Sequence, residues 1–266
     1  MIFYFSATGN CKYTAKKLAE TTDDNIMSMT DCLNNLMENN FLYELKENER
    51  LGFITPVYFF GLPTIVIDFL NKLTLKYYNN YAYHIITYGT TTGYAHNMMN
   101  KILKSKGVNI NGKFSVRMVD TYTPIFNLSD KEKNDKITSK AEKKIYEISK
   151  KVLNRTSGDF VCNKIPSFIA RFEYLQYDKF RKTKNFRVLP SCIGCNLCAK
   201  KCPVNAIEMQ AHKPVWIKDK CALCLGCLHR CPKFAIQYGK NTEKHGQFIN
   251  PNIWFILEFK LTKFDY

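Results

Sequence analysis

The sequence predicts an α/β fold built on a doubly wound parallel sheet, followed by a second, small α+β module rich in cysteine. Three observations predict it. Strand and helix signals alternate over residues 1–152, which calls for a parallel sheet covered by helices on both faces. A short Ser/Thr/Gly loop joins the first strand to the first helix. One cysteine pattern occurs twice in roughly the last third of the chain. With 266 residues there is room for two small domains, each with its own core.

Taken in order, Met1–Phe5 is an apolar strand and Cys11–Thr21 a helix that follows a turn. Asn25–Met29 is a weaker strand. Leu51–Thr55 is a buried strand running into Pro56-Val57-Tyr58-Phe59-Phe60-Gly61-Leu62-Pro63, and Thr64–Leu75 is helical. Ala82–Tyr88 is a strand followed by Gly89-Thr90-Thr91-Thr92-Gly93. Tyr94–Ser105 is a helix, Phe114–Val119 a strand and Ser129–Leu153 a long charged helix. Five such strands suit the order 2-1-3-4-5, with a ligand at their carboxyl ends. The first loop, Ser6-Ala7-Thr8-Gly9-Asn10-Cys11, offers helix N-terminal amides and two hydroxyls, a cradle for a phosphate dianion. An ordinary helix-capping turn is the competing reading. The loop carries neither G-x-G-x-x-G nor G-x4-G-K-[ST], which argues against a dinucleotide or P-loop site.

Cys192, Cys195, Cys198 and Cys202-Pro203 form C-x2-C-x2-C-x3-C-P, and Cys221, Cys224, Cys227 and Cys231-Pro232 repeat it. This spacing implies two 4Fe-4S clusters. Three close thiolates wrap one cubane and the fourth, before proline, reaches the other. Cys192, Cys195, Cys198 and Cys231 are thus expected on cluster one, and Cys221, Cys224, Cys227 and Cys202 on cluster two. Zinc sites usually pair two C-x2-C knuckles, and disulfide frameworks suit short secreted chains. The duplication extends to Pro203-Val204-Asn205-Ala206-Ile207 and Pro232-Lys233-Phe234-Ala235-Ile236, with a hairpin expected at Ile207–Gln210 and Pro214–Lys218.

The expected division is 1–153, a helical linker at 154–186, the cluster module at 187–240 and a tail at 241–266 that packs on the body. In the linker, Ile165, Phe168, Ile169, Phe172 and Leu175 recur at helical spacing and are expected to dock the two domains together, with lying on a membrane surface as the competing reading. Ile253-Trp254-Phe255-Ile256-Leu257 in the tail is read the same way. No stretch is long enough to span a bilayer and no secretory signal is visible, so a cytoplasmic, reducing location is expected. The formal charge of +16 falls to about +12 with two oxidised clusters bound. Abundant Lys, Asn, Ile, Tyr and Phe point to codon bias as the main source, and no nucleic-acid-binding motif accompanies the charge.

The first loop resembles the flavodoxin phosphate loop, T/S-x-T-G-x-T. Met1–Asn10, Pro56–Pro63 and the double cysteine motif together resemble the single-chain flavodoxin–bacterial ferredoxin fusions of anaerobes. The resemblance implies FMN. Ser6, Thr8, Gly9, Asn10 and the backbone of Cys11 would hold its phosphate. Pro56, Val57, Tyr58 and Gly61 would line one side of the ring, and Tyr88, Gly89, Thr90 and Gly93 the other. Tyr58 and Tyr94 are the stacking candidates, with plain packing as the rival reading. Cys11 departs from the usual Thr or Ser and is read as a small loop residue. Cys32 and Cys162 are read as free thiols.

The resulting expectation is an electron-transfer iron–sulfur flavoprotein with a redox partner protein, an acidic ferredoxin or flavodoxin being the kind its charge would favour. The alternative is a ferredoxin-dependent flavin reductase acting on a small substrate at the flavin. No acid/base set is visible for that chemistry, and His96 is the best single candidate, His84 being read as a core residue.

Overall fold

The structure is a computed structural model, and it describes residues 1–35, 41–77 and 79–253. Among them a six-stranded parallel sheet forms from β1 (Ile2–Tyr4), β2 (Ile26–Ser28), β3 (Leu51–Pro56), β4 (Ala82–Tyr88), β5 (Gly112–Arg117) and β6 (Gly158–Phe160). The order is β2-β1-β3-β4-β5-β6, the expected one with a strand added at the edge. The added strand lies beyond the boundary expected at 153. Too short and polar to signal itself, Gly158–Phe160 is held by register against Gly112–Phe114.

Helices α1 (Asn10–Thr22), α2 (Thr64–Lys72), α3 (Ala95–Lys104) and α4 (Lys131–Leu153) cover the sheet. Residues alternate along each strand, so each face builds its own core. Phe3, Phe53 and Ile86 point to the face under α2 and α3. Ile2, Ile54, Ile85 and Phe114 point to the face under α1 and α4, against Leu18, Ala141, Ile145 and Ile148. The helix expected over Thr64–Leu75 stops at Lys72; Leu73–Lys76 is instead a strand parallel to Phe41–Glu44. Its alternating Leu-Thr-Leu-Lys serves either period, and strand pairing decides.

The cluster module has two pairs of antiparallel strands, Ile207–Gln210 with Lys213–Trp216 and Phe186–Val188 with Ile236–Tyr238. Its core is shared with the first domain. Leu223, Leu225, Leu228 and Tyr177 pack with Tyr58, Phe59, Tyr122 and Tyr174. Phe59 lies 5.2 Å from Tyr177 and 5.4 Å from Phe180, stacked on both. The turn that presents it is closed by reciprocal 2.9 Å hydrogen bonds between the backbones of Tyr58 and Gly61. Phe59 and Phe60 both have positive φ, 46° and 66°, the conformation of a turn that usually takes Asn-Gly. The left-handed backbone costs about 1–2 kcal/mol per residue, and the aromatic stack offsets it.

The linker stripe does not dock the domains. The helix Ser167–Leu175 turns Phe168, Phe172 and Leu175 to solvent, 73%, 63% and 64% exposed. Contact is made by the opposite face, through Ala170 and Tyr174, whose hydroxyl donates to the Leu62 carbonyl. Further along, Tyr177 donates to the Ala222 carbonyl and so carries the contact into the cluster module. In the tail, Phe248, Asn250 and Ile253 are buried on the body; Trp254–Leu257 lie outside the described residues.

Candidate functional site

A cavity of about 280 Å³ opens where β1, β3, β4 and β5 end. Its floor is the first loop: Ser6, Thr8, Asn10 and Cys11 all line it. Helix α1 starts at Asn10, so its first amides have no partner within the helix. Ser6 Oγ accepts from the Gly9 amide at 3.1 Å and closes the turn. Among the described residues the Thr8 hydroxyl has no partner, although Thr8 is only 5% exposed. Among the described residues no Lys, Arg or His lines the cavity. The donors that these residues offer to an anion are amides and hydroxyls.

The walls hold Pro56, Val57 and Tyr58 on one side and Tyr88, Gly89 and Thr90 on the other. Gly9, Gly61 and Gly93 do not line it. Gly9 backs onto Asn250, Gly61 lies under Tyr174 and Gly93 abuts the Phe60 carbonyl. Each glycine is needed for close packing behind the wall. Tyr94 is also outside, capping α3 with its amide on the Phe60 carbonyl. Tyr58 lines the cavity and meets Phe5 edge-on at 6.2 Å, so it packs and faces the site at once.

Sequence reasoning missed the far wall. Met118, Val119, Asp120, Thr121, Tyr122, Ile125 and Phe126 follow β5 and line the cavity. Asp120 accepts hydrogen bonds from Thr90 Oγ1 at 2.9 Å and the Tyr122 amide at 3.1 Å, while burial raises its pKa. A Cβ on Gly89 would sit 2.3 Å from the Asp120 side chain, which is why that loop carries glycine. Cys11 is buried beside Thr87 Oγ1 at 3.1 Å, and burial pushes its thiol up to about 12. His96 is off this cavity, with Nε2 on the Phe114 carbonyl at 3.2 Å and its ring edge-on to His84.

Leu223, Cys224 and Leu225 close the cavity from the cluster module. A second cavity is walled by Cys192, Cys195, Cys198 and Cys231 with Ile193, Met209, Pro214 and Ile236. On the other side, Cys202 lies close enough to Cys221, Cys224 and Cys227 to raise the pKa of each, after burial. Burial first, and then the neighbouring thiols, push Cys221 up to about 12. Cys198, with Cys195 and Cys231 adjacent, is pushed up to about 11, again chiefly by burial. Thiolates so placed need cations between them, which is the donor chemistry of an iron–sulfur cluster. Zinc would draw its sulfurs onto one ion at ~2.3 Å each. Among the described residues no three His, Cys, Asp or Glu side chains converge so.

The repeats agree in backbone detail at an offset of 29 residues (192 to 221, 202 to 231). Gly194, Asn196 and Asn205 have positive φ, and so do Leu223, Leu225 and Phe234. The Ala206 amide donates to Cys202 Sγ at 3.3 Å and the Ala235 amide to Cys231 Sγ at 3.2 Å.

Two family models match this geometry, a flavodoxin domain over residues 1–146 and a 4Fe-4S dicluster domain over 191–235. The chain belongs to the flavodoxin family. It is a flavodoxin fused to a dicluster ferredoxin domain, and its cofactors are FMN and two 4Fe-4S clusters. The cavity fits FMN: unpaired amides and the Thr8 hydroxyl suit the phosphate, while Val57, Tyr58, Met118 and Leu225 offer apolar walls for the ring. A subunit of an NADH-quinone oxidoreductase from Pelobacter propionicus is 32% identical over 76 residues, 24% of this chain and 41% of its own. A subunit of an ion-translocating oxidoreductase complex from Methanosarcina acetivorans is 39% identical over 46 residues, 17% of each chain. The fusion thus spans less than half the length of these curated relatives. Among solved structures, an archaeal flavodoxin is 14% identical with a TM-score of 0.34, covering 57% of this chain and 96% of its own. A flavoprotein from Lactobacillus acidophilus in complex with FMN is 17% identical with a TM-score of 0.32, covering 43% and 90%. Among the described residues no helix is long and apolar enough to cross a membrane.

Proposed function

We propose that this flavodoxin–ferredoxin fusion carries electrons between FMN and a redox partner protein, with the second cluster next to the flavin and the first at the partner. One observation carries the order of centres: Leu223, Cys224 and Leu225 share a cavity with the phosphate loop. In this reading Cys221, Cys224, Cys227 and Cys202 hold the inner cluster and Cys192, Cys195, Cys198 and Cys231 the outer. Cys198 is the outer thiol that reaches Cys227 electrostatically, which supports a short path between the two sets. Bound FMN exchanges one or two electrons and each cluster exchanges one. The chain contributes orientation and burial. Arg230 donates to the Ser6 carbonyl and, more weakly, to the Lys201 carbonyl, so one cation ties the phosphate loop to the Cys202 turn. The working units in this reading are 1–160 for FMN, 186–238 for the clusters and 242–253 as a return segment.

At the outer end Cys195 is exposed and Ile193 is 59% exposed, with Lys200, Lys213 and Lys233 at the surface around them. That rim favours an acidic ferredoxin or flavodoxin as partner. The test is a pulse of limiting one-electron reductant given to the anaerobic holoprotein. Redistribution between flavin and clusters is expected at a rate independent of protein concentration. A rate that rises with concentration would refute an internal path. Thr8→Ala should weaken FMN by about 1–3 kcal/mol, as expected for a lost hydrogen bond to a charged group, and isothermal titration reads it.

Asp120 favours a second reading, reduction of a small substrate over the flavin, because it places a carboxyl of raised pKa in the cavity. Anaerobic turnover of small electron acceptors without any added protein would select this reading over the carrier.

A further inference from the structure

The phosphate loop is fastened from behind by the far end of the chain. Asn250 is fully buried; its backbone amide donates to the Thr8 carbonyl at 2.8 Å and its Nδ2 to Asn10 Oδ1 at 3.1 Å. Asn10 Nδ2 in turn reaches the Val119 carbonyl at 3.3 Å. Gly9 makes room for this, since a Cβ there would lie 3.0 Å from Asn250 Cβ. The same segment starts on the cluster module. Gln247 Nε2 donates to the Leu228 and Cys231 carbonyls at 2.6 and 2.9 Å. The Phe248 amide donates to His229 Nδ1 at 3.2 Å, which leaves His229 Nε2 to donate to the Thr121 carbonyl of the cavity wall at 2.8 Å. Gln247–Asn250 therefore spans from the cysteine turn of cluster one to the floor of the flavin cavity in four residues.

We propose that Asn250 is a positioning residue for phosphate binding: it holds the Thr8 carbonyl and the Asn10 side chain outward, so that the free amides of the loop face the cavity. The inference rests on the FMN reading. A loop of two hydroxyls and unpaired amides, with no cation among the described residues of the cavity, binds a dianion only if those donors are pre-aimed. The donor set is complete in residues 6–11, but the group that aims it comes from residue 250. Because Gln247 and Phe248 tie the same segment to the cluster module, the ferredoxin domain sets the phosphate affinity of the flavodoxin domain.

The test uses the full-length anaerobic protein, stripped of flavin with its clusters retained, titrated with FMN and separately with riboflavin, which has no phosphate. Asn250→Ala should weaken FMN about five- to tenfold, the loss of one hydrogen bond's support, and leave riboflavin unchanged. Asn250→Asp keeps the shape and the backbone bond but sets a carboxyl behind the loop; it should weaken FMN further and leave riboflavin unchanged. Iron content should stay at wild-type level in both. FMN and riboflavin weakening in parallel, or neither changing, overturns the inference while the flavin reading stands. Should Asn250→Ala fail to fold, Asn250→Asp decides by the same FMN-to-riboflavin ratio. A wild-type protein that takes up neither ligand refutes the flavin reading itself, and this inference with it.

Discussion

The two cysteine repeats share a backbone and differ in surroundings. At the three positions with positive φ the first repeat has Gly194, Asn196 and Asn205, residues that tolerate the left-handed region. The second has Leu223, Leu225 and Phe234, which do not favour it. Yet Leu223 and Leu225 are only 4% and 2% exposed, between the flavin cavity and the aromatic residues of the linker. Seven residues after the first cysteine of each triplet stands Ala199 or Leu228; one residue further, exposed Lys200 is matched by His229, fully enclosed and bonded on both nitrogens. Ligand geometry fixes the chain path in both repeats, and the side chains record which one faces solvent and which faces the flavodoxin domain. Burial of a leucine is worth about 1.5–3 kcal/mol, enough to offset a left-handed residue at about 1–2 kcal/mol.

The comparison breaks most sharply at the exchanged cysteines. Cys202→Ala lies in the first repeat but should cost the cluster of the second, and Cys231→Ala the converse. Wild-type protein should carry about eight iron and eight sulfide, and each variant should lose the cluster of the opposite triplet. Iron analysis with electron paramagnetic resonance assigns the loss. Damage confined to the triplet in the same repeat would show that the repeats do not exchange ligands.

Side chains at matched positions give the next effect. Leu225→Ala should destabilise the fold by about 2–4 kcal/mol through the lost burial, whereas Asn196→Ala should cost about 1 kcal/mol through the left-handed backbone alone. Anaerobic thermal melts of the two variants compare them. Equal costs would mean that the second repeat is no more enclosed than the first.

Acid tests the enclosed half against the exposed rim in another way. Burial holds His96 down at about 3 and His84 well below its usual value. Their folded pKa values lie below the unfolded ~6.5, so their contribution is whole above about pH 6.5 and is lost as pH falls through the window down to about 3. The slope approaches ~1.4 kcal/mol per pH unit for each histidine. His96→Gln should flatten it, read as the difference in urea midpoint between pH 7.5 and 5.5 for variant and wild type. An unchanged slope would place the acid sensitivity elsewhere.

The smallest effect belongs to the exposed repeat. Reduction of an acidic ferredoxin through the outer cluster should slow with salt, since the lysines around Ile193 act over a Debye length of ~8 Å at physiological ionic strength. Stopped-flow rates across a salt series measure it. A flat series would make the +16 charge a matter of composition alone.

Much of this molecule was legible before the structure. The strand–helix alternation placed five strands in order, because a parallel sheet buried on both faces needs continuous apolar runs such as Leu51–Pro56 and Ala82–Tyr88. The cysteine spacing carried the two 4Fe-4S clusters, because a cubane dictates local geometry. The loop proposed to hold the phosphate is local in the same way: its hydroxyls and amides are neighbours in sequence. The sixth strand escaped, since three residues paired only at an edge carry no periodicity. So did the linker, where the residues at helical spacing, Phe168 and Phe172, were the exposed ones, and the contact ran through Ala170 and Tyr174.

Residues close together along the chain were enough for the sheet, for the dicluster cysteine pattern and for the loop at Ser6–Cys11 that is proposed to hold a phosphate. How these segments meet was set by packing in three dimensions. It brought Asp120 across from β5, set Leu223 and Leu225 in the wall of the flavin cavity, and returned Asn250 to the back of the phosphate loop. Those contacts join residues 30 to 240 positions apart. They arise from burial and from the pairing of buried polar groups, and neither of these leaves a periodic trace along the chain.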